Sequence, residues 1–192
     1  RLALTEKQIE YTVSELNPFQ LDDLNVNNNQ HPFNRVPVLV HDGLTVYETS
    51  AICRYIDEAF DGPVLQPDRA TERARMNQII AVTDAYGYWP LVRQVFSNAV
   101  FSPRLGESGD QAELEKGLDA APAVLDALEN LADDGAFLVG DSLTLADIHL
   151  APIISYFSEA EAGAALLSER PKLDKWFGQI SQRSSCQMTR PA

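Results

Sequence analysis

Strand-type patterning in this chain ends near residue 60, and from Arg69 onward the apolar residues follow helical spacing. A β-containing segment followed by a purely helical one excludes a single doubly wound sheet, which needs strands and helices alternating along the whole sequence. Two units of different class are expected: an α/β unit over 1–62 and an all-α bundle over 69–192. Asp61-Gly62-Pro63 stops the last helix of the first unit, and 63–68, with Pro63 and Pro67, reads as the linker.

Within the first unit, Leu2 to Lys7 reads as the end of a helix and Ile9 to Val13, with alternating apolar residues, as a strand. Asn17 to Gln30 is rich in Asn and Asp and reads as a loop with room for a short helical turn. Val38 to Val40, the Asp42-Gly43 turn and Leu44 to Tyr47 form a β-hairpin, because Asp-Gly supplies the positive φ angles of a two-residue turn. Pro37 has no N–H for the ladder and so sits at a strand's first residue or edge. Glu48 to Phe60 reads as a helix whose stripe of Ala51, Ile52, Tyr55, Ile56, Ala59 and Phe60 is expected to pack on the sheet.

Four helices are expected in the second unit: Ala70 to about Ser102, Asp110 to about Asp133, Thr144 to about Ser158 and Pro171 to about Arg183. Thr144-Leu145-Ala146-Asp147 is a capping-box signature with Asp at the closing position, and Leu143 is placed to staple against Ile148. Trp176 and Phe177 read as packing residues, and Ser184-Ser185-Cys186 as a frayed end.

Charge and cysteine content remove several function classes. With 28 acidic and 15 basic side chains the net charge is -13 and the pI about 4.5, so nucleic acid and anionic membrane surfaces are repelled. Cys53 and Cys186 stand alone without CxxC or Cys/His spacing, which argues against structural zinc and for a reducing compartment. Cys53 reads as a buried helix residue. Neither a long apolar span nor a leader is visible, so a cytoplasmic location is expected, although the sequence opens on Arg1 without a methionine.

Val36-Pro37 ahead of the hairpin and Glu48-Thr49-Ser50-Ala51-Ile52 after it together resemble the glutathione transferase family, and Thr144-Leu145-Ala146-Asp147 is similar to the start of its core sixth helix. The resemblance spans nearly the whole chain. It implies a thioredoxin-like N-terminal domain, whose first strand is expected to lie before Arg1, and an all-helical C-terminal domain. It also implies glutathione as co-substrate, a homodimer, a role in detoxification, and transfer of the glutathione sulfur to a small hydrophobic electrophile without a metal. A glutathione-dependent isomerase or dehalogenase of the same fold, and a non-catalytic interaction module, are the alternatives.

On that resemblance, the backbone of Val36 ahead of a cis Pro37 pairs with the cysteinyl segment of glutathione as an added strand. The Thr49 hydroxyl and nearby helix-start N–H groups take the γ-glutamyl carboxylate, and Glu48 takes the adjoining ammonium group. Read alone, Thr49 or Ser50 is a plain helix cap and Pro37 an ordinary trans proline. Arg35 and His31 are the candidates for the glycyl carboxylate, although His31 also reads as a surface or loop histidine. Asp84 is either a solvated helix residue or an acid offered to the γ-glutamyl amine across a dimer. Tyr86 and Tyr88, beside Gly87 and Pro90, are candidates for contact with the electrophile, while the stripe they share with Trp89, Val92 and Phe96 reads equally as core. The family's thiolate-activating Ser, Tyr or Cys lies before the position matched by Arg1, so no catalytic residue is assigned.

Overall fold

The computed structural model describes residues 1–15 and 31–190. It divides into two compact units, Arg1–Pro63 and Val64–Ala192. The loop expected over Asn17 to Gln30 lies outside the described residues.

The first unit begins with helix α1 (Leu2–Glu6), followed by strands β1 (Val38–His41) and β2 (Leu44–Tyr47) and helix α2 (Thr49–Ala59). The strands pair antiparallel with Val38 opposite Tyr47 and His41 opposite Leu44. Asp42 and Gly43 close the hairpin with φ of 48° and 81°, the left-handed pair that a two-residue turn requires. Ala3 and Leu4 of α1 are buried, as are Ile52, Cys53 and Ile56 of α2. Lys7, at the end of α1, is buried and donates from Nζ to three acceptors: the Asp57 carbonyl at 3.1 Å, Asp57 Oδ1 at 3.2 Å and the Pro63 carbonyl at 3.1 Å. An ammonium can be held out of water at low cost only when its donors are filled in this way.

Ile9–Val13 is not a strand. A strand exists through its ladder, and the described sheet has two members, β1 and β2. Alternation alone therefore misled at this segment.

In the second unit, α3 (Ala70–Val82) runs on through the wide-turned segments Thr83–Gly87 and Trp89–Phe101 and ends in the α-turn Ser102–Arg104. Then come α4 (Gln111–Leu131), α5 (Leu145–Phe157), α6 (Glu161–Ser168), α7 (Pro171–Ile180) and α8 (Ser184–Thr189). The wide turns begin at Thr83 and continue past Pro90, which has no N–H for an ordinary α bond, and Ser97 Oγ donates to the Val92 carbonyl five residues back at 3.1 Å. Helix α4 packs along Trp89–Phe101 because Gly117 lets it close in: a Cβ there would meet Gln94 Cβ at 2.7 Å and the Pro90 carbonyl at 3.0 Å. Asp110 caps α4 through the N–H groups of Ala112 and Glu113 at 2.9 and 3.1 Å. Leu65 is buried and its carbonyl accepts from the Leu145 N–H at 2.9 Å, tying Leu65 to the start of α5.

Two helices here escape sequence reading. Helix α6 starts after a short turn at 158–160, and Gly163 in its first turn sits so close to the Phe157 carbonyl that a Cβ would collide with it. The Ser184 segment, expected to fray, is instead helix α8 with Ser185 buried.

At the start of α5, Asp147 collects four hydrogen bonds. Its Oδ1 accepts from Leu138 N at 2.8 Å and Trp176 Nε1 at 2.9 Å, and its Oδ2 accepts from Thr144 N and Oγ1, both at 2.8 Å. Thr144 and Asp147 form the capping box, and Trp176 is a packing residue with a donor. Burial pushes the Asp147 carboxyl up from its ordinary range, and the four donors pull it back.

Candidate functional site

The hairpin builds the corner. Because Val38 pairs with Tyr47, the residues just outside the ladder, Val36-Pro37 on one strand and Glu48-Thr49 on the other, emerge side by side at the open end of the sheet. Arg35, Val36, Pro37, Glu48 and Thr49 are all exposed, and the Val36-Pro37 bond is cis. Pro37 lies immediately before β1, where its missing N–H costs no ladder bond.

Glu48 is the N-cap of α2 with φ 67° and ψ 121°, a backbone conformation that side chains other than glycine rarely adopt. Its side chain makes no capping bond, and the first intrahelical bond runs from Ile52 N to the Glu48 carbonyl at 2.9 Å. The N–H groups of the first turn therefore have neither an intrahelical acceptor nor a Glu48 cap. Thr49 is the first helical residue, so reading it as the plain cap is corrected by one position. The corner combines exposed main chain, uncapped N–H groups at the positive end of an eleven-residue helix, a hydroxyl and a carboxylate. That set can take a zwitterionic, peptide-like ligand.

His31 is not a surface histidine. It is 3% exposed, packed against the rings of Tyr47 at 4.8 Å and Phe33 at 6.0 Å. Its Nδ1 accepts from the Phe33 N–H at 3.2 Å and its Nε2 stands 3.5 Å from Glu48 Oε1. Each ring nitrogen thus has a neighbour, the Phe33 N–H or the Glu48 carboxylate, and the arginine named beside it, Arg35, is exposed.

Asp84, Tyr86 and Tyr88 belong to the second unit. Asp84 is not a freely solvated helix residue: its Oδ1 lies 2.6 Å from Nε2 of the buried His149 on α5, while its side chain stays 50% exposed. The other nitrogen of that imidazole, Nδ1, is buried without a hydrogen-bond partner among the described residues. The aromatic stripe divides, with Tyr86, Tyr88 and Trp89 exposed and Val92 and Phe96 in the core. The division falls in the wide-turned segments Thr83–Gly87 and Trp89–Phe101.

Among the described residues no group of three or more His, Cys, Asp and Glu side chains is arranged to hold a metal ion, and no helix is long and apolar enough to cross a membrane.

Comparison with known proteins places this architecture. Residues 1–64 match the family described as glutathione S-transferase, N-terminal domain, and residues 88–184 match glutathione S-transferase, C-terminal domain. A glutathione S-transferase of Arabidopsis thaliana is 30% identical over 185 residues, covering 95% of this chain and 84% of that protein. Glutathione S-transferase 1 of Zea mays is 28% identical over 159 residues, 82% of this chain and 73% of its own. Among solved structures, a glutathione transferase from Populus trichocarpa superposes with a TM-score of 0.80 at 27% identity, over 97% of this chain and 89% of that one. Glutathione S-transferase I bound with lactoylglutathione superposes at 0.83 with 25% identity, also over 97% and 89%. The chain belongs to the glutathione S-transferase family. Its fold is the family's, a small N-terminal hairpin sheet with helices and an all-helical C-terminal unit.

Proposed function

We propose that this chain binds glutathione at the corner after β2 and transfers its sulfur to a small hydrophobic electrophile. The observation that carries this reading is the Val38–Tyr47 register, which sets an exposed main-chain segment beside an uncapped helix start. The N–H and C=O of Val36 bond the cysteinyl segment in the manner of an added strand. Thr49 and the first-turn N–H groups take the γ-glutamyl carboxylate, Glu48 takes its ammonium and Arg35 takes the glycyl carboxylate. Charge-assisted bonds of this kind contribute about 1.5–3 kcal/mol each.

The chemistry is nucleophilic attack by a thiolate. A free thiol with pKa near 8.5 is mostly protonated at neutral pH, so lowering that pKa and holding the sulfur in line with the electrophile supply the rate. Tyr86 and Tyr88 offer apolar faces with phenolic tips to the electrophile. In a homodimer, Asp84 presents its exposed oxygen to the γ-glutamyl amine of the partner's ligand. The setting is cytoplasmic detoxification, with no nucleic-acid or membrane partner. Retention on glutathione-agarose with elution by free glutathione tests the binding step. Formation of a 1-chloro-2,4-dinitrobenzene conjugate tests the transfer; no retention by the full-length protein would support a docking module instead.

A further inference from the structure

We propose that His31 is a positioning residue for the reaction, its imidazole Nε2–H aiming the Glu48 carboxylate at the ammonium group of the bound peptide. The inference rests on the glutathione reading above and adds a residue to it.

The tautomer follows from geometry. A backbone N–H can only donate, so the bond from Phe33 N to His31 Nδ1 makes Nδ1 the acceptor and puts the proton of the neutral ring on Nε2. That nitrogen stands 3.5 Å from Glu48 Oε1, close enough for an electrostatic contact with the carboxylate. Flipping the ring would leave the Phe33 N–H without this acceptor, and the flanking rings of Tyr47 and Phe33 resist such a rotation. The loop is further fixed by the turn bond from Asn34 N to the His31 carbonyl at 3.0 Å. A buried donor of fixed orientation thus stands behind a carboxylate that is 62% exposed and carried on a rare backbone conformation.

The consequence is preorganisation. An exposed glutamate on a flexible stem loses rotamer freedom on binding a cation, and a neighbouring donor reduces that loss by narrowing its range beforehand. His31 reaches the ligand only through Glu48, so its loss should weaken glutathione binding and leave the chemical step alone.

The test uses the full chain with glutathione varied against saturating 1-chloro-2,4-dinitrobenzene. His31→Ala is expected to raise KM for glutathione about tenfold with kcat changed less than about twofold. His31→Gln, whose amide can still donate, is expected to recover part of the loss, and His31→Ala combined with Glu48→Ala should be no worse than Glu48→Ala alone. Nitrogen-15 spectra of the wild-type chain should show an Nε2-protonated ring whose resonance moves in Glu48→Ala. An unchanged KM in folded His31→Ala, additive effects in the double variant, or an Nδ1-protonated ring would each overturn the proposal. If the wild-type chain shows no saturation with glutathione, the binding reading has failed, and the spectra still decide whether His31 holds Glu48.

Discussion

Helices α2 and α5 both begin with an acid and a hydroxyl, and they use them in opposite ways. At α5 the acid is turned inward and saturated: Asp147 accepts four hydrogen bonds, from Thr144, Leu138 and Trp176, and is fully buried. At α2 the pair is turned outward: Glu48 and Thr49 are exposed, and the first-turn N–H groups carry no side-chain cap. The first arrangement contributes stability. The second leaves polar groups unfilled at the corner proposed to hold glutathione, and the fold tolerates this because water can fill them. Similar local chemistry therefore separates into structure and function according to burial alone.

Three substitutions sharpen that contrast. Asp147→Ala strands the donors of Leu138, Thr144 and Trp176 in the core, and a loss of about 3–5 kcal/mol is expected in urea unfolding. Trp176→Phe keeps most of the packing and removes one donor to Asp147, for an expected loss of about 1–3 kcal/mol. Thr49→Ala should alter stability by less than about 0.5 kcal/mol while weakening glutathione binding about tenfold by calorimetry. Equal stability costs at Thr49 and Asp147 would break the comparison.

The smallest effect concerns pH. Because burial raises the Asp147 carboxyl above its ordinary value of 3.8, the folded chain keeps a proton over a window in which the unfolded chain has released it. In that window the unfolded state binds fewer protons, so this group lowers stability as pH rises from about 4 through the raised value, and its contribution is then constant. Asp147→Asn cannot titrate. The stability of wild type relative to that variant should therefore decline on going from about pH 4 to pH 7, measured by urea midpoints; a rise would show that the four donors outweigh burial.

Much of this architecture was legible because it is written in local chemistry. Asp42-Gly43 dictates its own turn and Thr144 to Asp147 its own cap, and of the expected α2 stripe Ile52 and Ile56 are buried while Ala51 and Ala59 are exposed. What escaped depends on distant residues. Ile9–Val13 alternates as a strand would, but pairing is tertiary and has no local signature. Helix α6 follows a short turn and sets Gly163 against the Phe157 carbonyl, a close approach which an alanine-rich stretch does not announce.

The site shows the same division. Val36-Pro37 and Glu48-Thr49 could be picked out from their spacing around a hairpin. His31 read as a loop residue because the ring that buries it most closely, Tyr47, lies on β2. Asp84 read as solvated because its partner, His149, is on α5. Glu48 and Asp84, the two acids named for ligand binding, each stand beside a buried imidazole, and neither pairing could be inferred from a single sequence without contacts.

The central claim is that the corner formed by Val36-Pro37 and Glu48-Thr49 holds glutathione, and calorimetric titration of glutathione into the double variant Glu48→Ala/Thr49→Ala tests it most directly. The account expects saturable binding by the wild-type chain and a loss of at least about a hundredfold in the variant, with its urea midpoint nearly unchanged. Wild-type affinity in a folded double variant would contradict it, because the ligand would then be held somewhere else.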